Sequence, residues 1–347
     1  MESRKVQRVG YSTLSVSLPS SWVKEVGIKQ GDLVVFQPEK GGSLKLMPSA
    51  LAEHRKEVKE FVVNADLCDE PGMLERIIIG NYILGRGLLR VVSSKRIRSA
   101  HVEEIRGILR RIIGLGIVEE TSNEIVLQCS IDPTQFKMDM LLRRLSVITA
   151  TMLDEATQAL VDFNLQLARD VILREDEADT VYWLAMRLLL SAQLVRDIAE
   201  KIGLEDPLHI CMYRCLLKHM ELIADHAQDI ATGLIELERY NGKIEKQAIE
   251  ELAHLGRLVH SLLQKAVDCV FTGDIKTANG IIEIRKVIAM ENERLMRELP
   301  EIPHMRVIAW GLTGIADMVA DIAAITINSA LEKQSKICFS KSILVTK

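Results

Sequence analysis

The phrase Ile-Ala-Asp-x-x-x-Asp-Ile-Ala occurs twice, from Ile223 to Ala231 and from Ile315 to Ala323, at a constant offset of 92 residues (315 − 223). Self-similarity at a fixed offset marks a duplicated structural unit. Each copy places two aspartates four residues apart in an apolar, Ala-rich pattern. On a helix such neighbours share a face, where like charges cost about 0.2–0.5 kcal/mol. A cation or a basic neighbour offsets that cost. The C-terminal half therefore reads as two copies of one helical unit, whose paired acids are either metal ligands or a solvated face.

Helical periodicity runs with few breaks from Lys137 onward. It predicts helices over 137–166, 167–202 and 206–239, then over 244–270, 274–298 and 303–331. Tyr240-Asn241-Gly242, Gly273 and Pro300 mark turns, so two three-helix units are expected, at 137–242 and 243–335. Only 4% of residues are aromatic while 48% are hydrophobic, so Leu, Ile, Val and Ala must fill the core. Val307 to Ile327 approaches the length of a membrane span, but Asp317 and Asp321 sit near its middle, each at a cost of about 2.5–3.5 kcal/mol in a bilayer. A bundle helix without membrane insertion is expected. Six cysteines form no paired framework and no signal-peptide pattern is present, which points to a reducing cytoplasm.

The first fifty residues are different. Val6–Val9 and Leu14–Leu18 alternate as strands around Gly10-Tyr11-Ser12-Thr13. Ser20 and Ser21 offer caps to a short helix, Trp22 to Val26, closed by Gly27, and Leu33–Phe36 and Ser43–Leu46 read as two further strands. So short a segment cannot enclose a sufficient core alone, and an intertwined homodimer is implied. It holds 7 Lys/Arg against 4 Asp/Glu, whereas the whole chain has a net charge of −4.

Between 53 and 132 the pattern reads β-α-β-α-β-β, with a final hairpin across Ser122-Asn123. Lys95, Arg96, Arg98, Arg106, Arg110 and Arg111 offer either a basic surface or a solvated helix face with a charged loop. The glycines here form no Gly-x-Gly-x-x-Gly or Walker pattern, so no nucleotide fold is implied.

Two resemblances follow. Arg4-Lys5-Val6-Gln7-Arg8-Val9-Gly10-Tyr11-Ser12, Ser15-Val16-Ser17-Leu18-Pro19 and Gly27-Ile28-Lys29-Gln30-Gly31-Asp32 are similar to the AbrB/MazE-type swapped-hairpin DNA-binding domain, over residues 1–50. The resemblance implies DNA contacts from Arg4, Lys5 and Arg8, with Lys24 as a further candidate. With no run of arginines to read bases, phosphate contacts are expected to dominate. Arg174-Glu175-Asp176-Glu177-Ala178-Asp179, Glu221 through Ala227, and Gly314-Ile315-Ala316-Asp317 with Asp321 resemble the PhoU family of tandem three-helix bundles. An AbrB-like head joined to a PhoU-like body resembles the archaeal phosphate-uptake regulators. The fold class expected is thus mainly α, with a small N-terminal β domain and a central α+β module.

The PhoU resemblance implies metal binding by an acid, three residues, then Asp, on two helices of each bundle. The first repeat keeps both pairs, Glu175/Asp179 and Glu221/Asp225, whose oxygens suit iron, manganese, magnesium or zinc. The alternative is a charged surface balanced by Arg174, Arg187 and Arg196. In the other repeat Thr313 replaces the first acid and Arg285-Lys286 occupies the region of the other pair. Only Asp317 and Asp321 remain there, and a further full site is not expected. Cys211, Cys215 and His219 form one helical stripe, with zinc or core packing as its alternatives; packing is favoured. No nucleophile–base set is visible, so the chain is read as a regulator and not an enzyme. The head would bind DNA and the bundle would sense metal, metal-bridged phosphate or a subunit of the phosphate ABC transporter, its ATPase above all. The rival reading is a transporter adaptor whose head serves only for dimerisation.

Overall fold

The computed structural model describes residues 2–38, 42–49, 59–204, 206–240 and 242–340. The chain divides into two compact units, Met1–Lys59 and Glu60–Lys347. The expected start of the central module at residue 53 lies outside the described residues.

In the first unit, β1 (Gln7–Val9) and β2 (Thr13–Ser15) form an antiparallel hairpin that pairs Arg8 with Leu14. Gly10 turns it with φ of 73°, a conformation that glycine adopts without a Cβ clash. Helix α1 spans Ser20–Val26 and ends on Gly27 in the left-handed conformation. Pro19 is its N-cap and no side chain bonds there, so Ser20 and Ser21 lie inside the helix and do not cap it. A further hairpin pairs β3 (Val34–Pro38) with β4 (Leu44–Pro48). Among the described residues of this unit Pro48 alone is buried. Leu14, Leu33 and Phe36 are 67%, 75% and 61% exposed.

The larger unit opens with β5 (Glu60–Asn64), α2 (Met73–Ile83), β6 (Leu88–Val92), α3 (Ser99–Arg111), β7 (Leu115–Glu120) and β8 (Glu124–Cys129). The sheet order is β5-β6-β8-β7, with β5 and β6 parallel and the other neighbours antiparallel. The parallel pair is joined through a helix, as parallel strands require. Strand alternation sends Leu89 and Val91 into a core with Leu74, Ile78, Ile105, Ile108 and Leu127. Arg90, between them in sequence, pairs instead with Glu60 and Glu124.

The rest is helical: α4 (Met138–Asp162), α5 (Leu165–Leu194), α6 (Arg196–Ile202), α7 (Pro207–Leu237), α8 (Lys246–Thr272), α9 (Ile275–Glu298) and α10 (Pro303–Ala330). Periodicity alone runs one helix through 167–202, but the backbone turns extended at Val195 and α6 starts afresh. No glycine or proline marks that break. Between α4 and α5, Phe163 takes a φ of 50°, and Asn164 accepts bonds from the backbone N–H groups of Gln166 and Leu167. One contiguous core runs through both three-helix units. The two helices that carry the repeated phrase, α7 and α10, pack on each other, and glycines permit their approach. A Cβ on Gly233 would lie 3.0 Å from Ile308 Cγ1, and one on Gly311 would lie 3.3 Å from Ile230 Cγ1. Pro303–Ala330 is long and apolar enough to cross a membrane by length and composition, and half of its most apolar window is buried within the bundle.

Candidate functional site

Helix α5 carries Glu175 and Asp179 one turn apart, and α7, packed against it, carries Glu221 and Asp225. The four acids share one electrostatic field. Burial first, then Glu175, pushes the Asp179 carboxyl up to about 8, with Glu221 and Asp225 adding to the rise and Arg111 opposing it. Burial and then Glu221 push Asp225 up to about 7, against Lys218. Glu175 is raised as well, chiefly by burial, and Arg111 opposes that rise. Gln228 Nε2 donates to Glu175 at 3.5 Å. Burial and mutual repulsion thus favour the protonated form of Asp179 and Asp225.

Two cations reach the acids. Lys218, one turn before Glu221, donates to that carboxylate. Arg111, the last residue of α3, donates from Nη2 to Asp179 at 2.8 Å and from Nη1 to Glu75 at 3.2 Å, and its Nε lies 2.6 Å from Asp176. Arg174, Arg187 and Arg196, expected from the sequence as counter-charges, go elsewhere. Arg174 pairs with Glu155 on α4 at 3.0 Å, and Arg196 donates to Glu200 at 3.1 Å. Arg187 is buried and donates to the carbonyls of Tyr82, Gly85 and Arg86 at the end of α2. Proximity in sequence misled here, because the groups that meet the acids include one from a separate module.

Carboxylate oxygens are the donors a hard divalent cation prefers. By donor type alone, Glu175, Asp179, Glu221 and Asp225 are the residues that would hold such a cation. Among the described residues, however, no three His, Cys, Asp or Glu side chains converge as a preformed ligand sphere.

The C-terminal repeat is wired differently. Arg285 Nε donates to Asp317 at 2.5 Å, and His219 Nε2 lies 3.3 Å from Asp321. Thr313, at the position of Glu221, turns its hydroxyl back to the Ala309 carbonyl at 2.9 Å. The cysteine stripe is not core: Cys211 and Cys215 are exposed, while the His219 ring bonds to the Cys215 carbonyl at 2.7 Å through Nδ1. Spacing by four fixes one stripe but not which side of the helix faces inward. Of the candidate basic residues of the central module, Lys95, Arg96 and Arg110 are exposed, and the other three arginines are paired. Arg98 pairs with Asp69, Arg106 with Glu120, and Arg111 with the acids already named.

In the first unit Arg4, Lys5, Arg8 and Lys24 are all exposed. Arg8 lies on β1, on the face opposite Gln7 and Val9, and Arg4 pairs with Glu2. Lys24 stands on a separate element, in the last turn of α1.

Comparison with known proteins agrees with this layout. Residues 142–233 match the family model of the PhoU domain, and residues 7–53 match that of antidote-toxin recognition MazE, bacterial antitoxin. Among solved structures, the crystal structure of PhoU from Pseudomonas aeruginosa aligns with a TM-score of 0.50 at 20% identity, covering 55% of this chain and 93% of that one. No curated protein matches the sequence. The chain therefore carries a PhoU domain and an N-terminal MazE/AbrB-like domain, on a mainly helical fold with small β hairpins and a central sheet.

Proposed function

We propose that this protein is a homodimeric, cytoplasmic regulator of phosphate homeostasis, whose N-terminal unit binds DNA and whose helical bundle senses a cation-linked signal. The observation that carries the reading is the state of the first unit. Its two hairpins leave Leu14, Leu33 and Phe36 uncovered and expose Arg4, Lys5 and Arg8 on the first strand and the segment before it. A β segment with that apolar surface and, among its described residues, only Pro48 buried calls for another copy of itself, and the cationic edge then supplies phosphate contacts to DNA. The likeness of this unit to MazE antitoxins and of the bundle to PhoU supports a DNA-binding head and a phosphate-linked body. Regulation, not catalysis, is the output.

The bundle's part follows from linkage: an effector changes the head only if it binds one arrangement of the protein better than another. Glu175, Asp179, Glu221 and Asp225 are assigned to a divalent cation, which would take the place of the protons that burial holds on Asp179 and Asp225. Asp317 and Asp321 are assigned no cation, since Arg285 and His219 already face them. Sedimentation of the full chain, with a mobility assay over a salt series, tests the proposal. A dimer whose DNA affinity falls steeply with salt supports it. A monomer, or no DNA binding at low salt, contradicts it and favours a transporter adaptor.

A further inference from the structure

The four-stranded sheet of the central module has two edges, and they are built differently. β7 carries a bulge at Val118, between Ile117 and Glu119, and ends on the exposed acids Glu119 and Glu120. Bulges and charges are the devices that keep an edge strand from pairing with another chain. β5, at the opposite edge, lacks the bulge and pairs with β6 in unbroken register. Glu60 to Asn64 contain no proline or glycine and only one charge. Arg90 of β6 already balances that charge, holding the Glu60 carboxylate at 2.8 Å. Among the described residues no strand pairs with the outer side of β5. Such an edge is a template on which a further strand can form.

The side chains of β5 suit one partner in particular, a second β5. Strand alternation sends Phe61 and Val63 toward the module's core and leaves Val62, 61% exposed, on the other face. Antiparallel pairing about a two-fold axis at Val62 sets Val62 against Val62, Phe61 against Val63 and Glu60 against Asn64. Phe61 against Val63 is a favourable aromatic–β-branched pair, made twice by the symmetry, and no like charges meet. Five residues from each chain bury far less than the roughly 1,200–2,000 Å² of a stable interface, so the contact needs the chains held together elsewhere. β5 begins at the residue after the first unit ends. A dimer joined through that unit therefore supplies two copies of this edge at high effective concentration.

We infer that β5 pairs with β5 of a second copy of this chain, antiparallel about Val62, joining two four-stranded sheets into one of eight strands. The inference rests on the homodimer reading of the first unit and adds a second place where the two chains meet.

The test uses the full-length protein. Val62 is exposed in the single chain, so its substitution leaves the fold intact. Opposed Cα atoms of an antiparallel pair lie about 4.5–5.5 Å apart, within disulfide range. After mild copper-catalysed air oxidation of Val62→Cys, peptide mass mapping should find residue 62 of one chain linked to residue 62 of the other. Val118→Cys on β7, where Val118 is 51% exposed, should give no such self-link. Mapping by peptide separates these links from any made by the exposed Cys211, Cys215 and Cys338. Val62→Lys sets two like charges against each other and should raise the dimer dissociation constant about fivefold by sedimentation. A dimer without the link between the two residues 62, or with Val118→Cys linking as readily, overturns the edge pairing and leaves the first unit's dimer in place. An unchanged constant in Val62→Lys overturns it likewise. A monomeric parent overturns the homodimer reading and this inference with it.

Discussion

Raised carboxyls at Asp179 and Asp225, about 8 and about 7 against an ordinary value of 3.8, set the sign of a pH effect. Between those values the folded chain binds more protons than the unfolded chain, so stability is full at the acid end and falls as pH rises. Without added metal, the melting temperature should drop from about pH 5 to about pH 8, and Asp225→Asn should flatten the drop. A parent curve that rises over this range, or a variant curve parallel to it, contradicts the assignment. Cation binding should reverse the loss by mass action, raising the melting point with ligand excess over its dissociation constant. Glu221→Gln/Asp225→Asn should abolish both metal content and that rise, whereas Asp317→Asn/Asp321→Asn should leave them nearly intact. Metal analysis and thermal scans of the two variants decide; equal losses from both would remove the asymmetry between repeats.

At the scale of elements, the helices were legible because their periodicity is long and their turns carry Gly, Pro or Asn. The break at Val195 was not, since no residue type there signals an extended backbone. Lys218 was within reach of sequence reasoning, three residues before Glu221 on the same helix. Arg111 was not, because 68 residues separate it from Asp179 and only the docking of α3 on α5 brings them together. The Cys211–Cys215 stripe was legible as a stripe, but its exposure depends on which neighbours α7 meets. Helix contacts also single out particular glycines. A Cβ on Gly256 of α8 would stand 2.6 Å from Thr157 Oγ1 on α4, while one on Gly280 of α9 would meet nothing within 4 Å. Gly256→Val should therefore destabilise the bundle by roughly 1–3 kcal/mol through overpacking. Gly280→Ala should stabilise it by about 0.5–1 kcal/mol, since glycine is the costlier residue inside a helix. Urea titrations of the two variants measure both, and similar midpoints would mean that α8 and α4 do not approach as closely as the structure places them.

For the molecule as a whole, the two compact units differ in burial: among the described residues of the first only Pro48 is buried, whereas the second encloses a large hydrophobic core. Isolated Met1 to Pro48 should sediment as a dimer or behave as unfolded chain, and a folded monomer would contradict the need for a partner copy. The claim that joins the two units in one function is that the first strand and the residues before it meet DNA through phosphates. Its most direct test is the slope of log affinity against log salt for the full-length protein and for Arg4→Ala/Lys5→Ala/Arg8→Ala on the same promoter fragment. The parent should show a steep negative slope, and each lost contact should reduce its magnitude by about 0.9. Equal affinity and an unchanged slope in the triple variant, or no binding by the parent at low salt, would contradict the account.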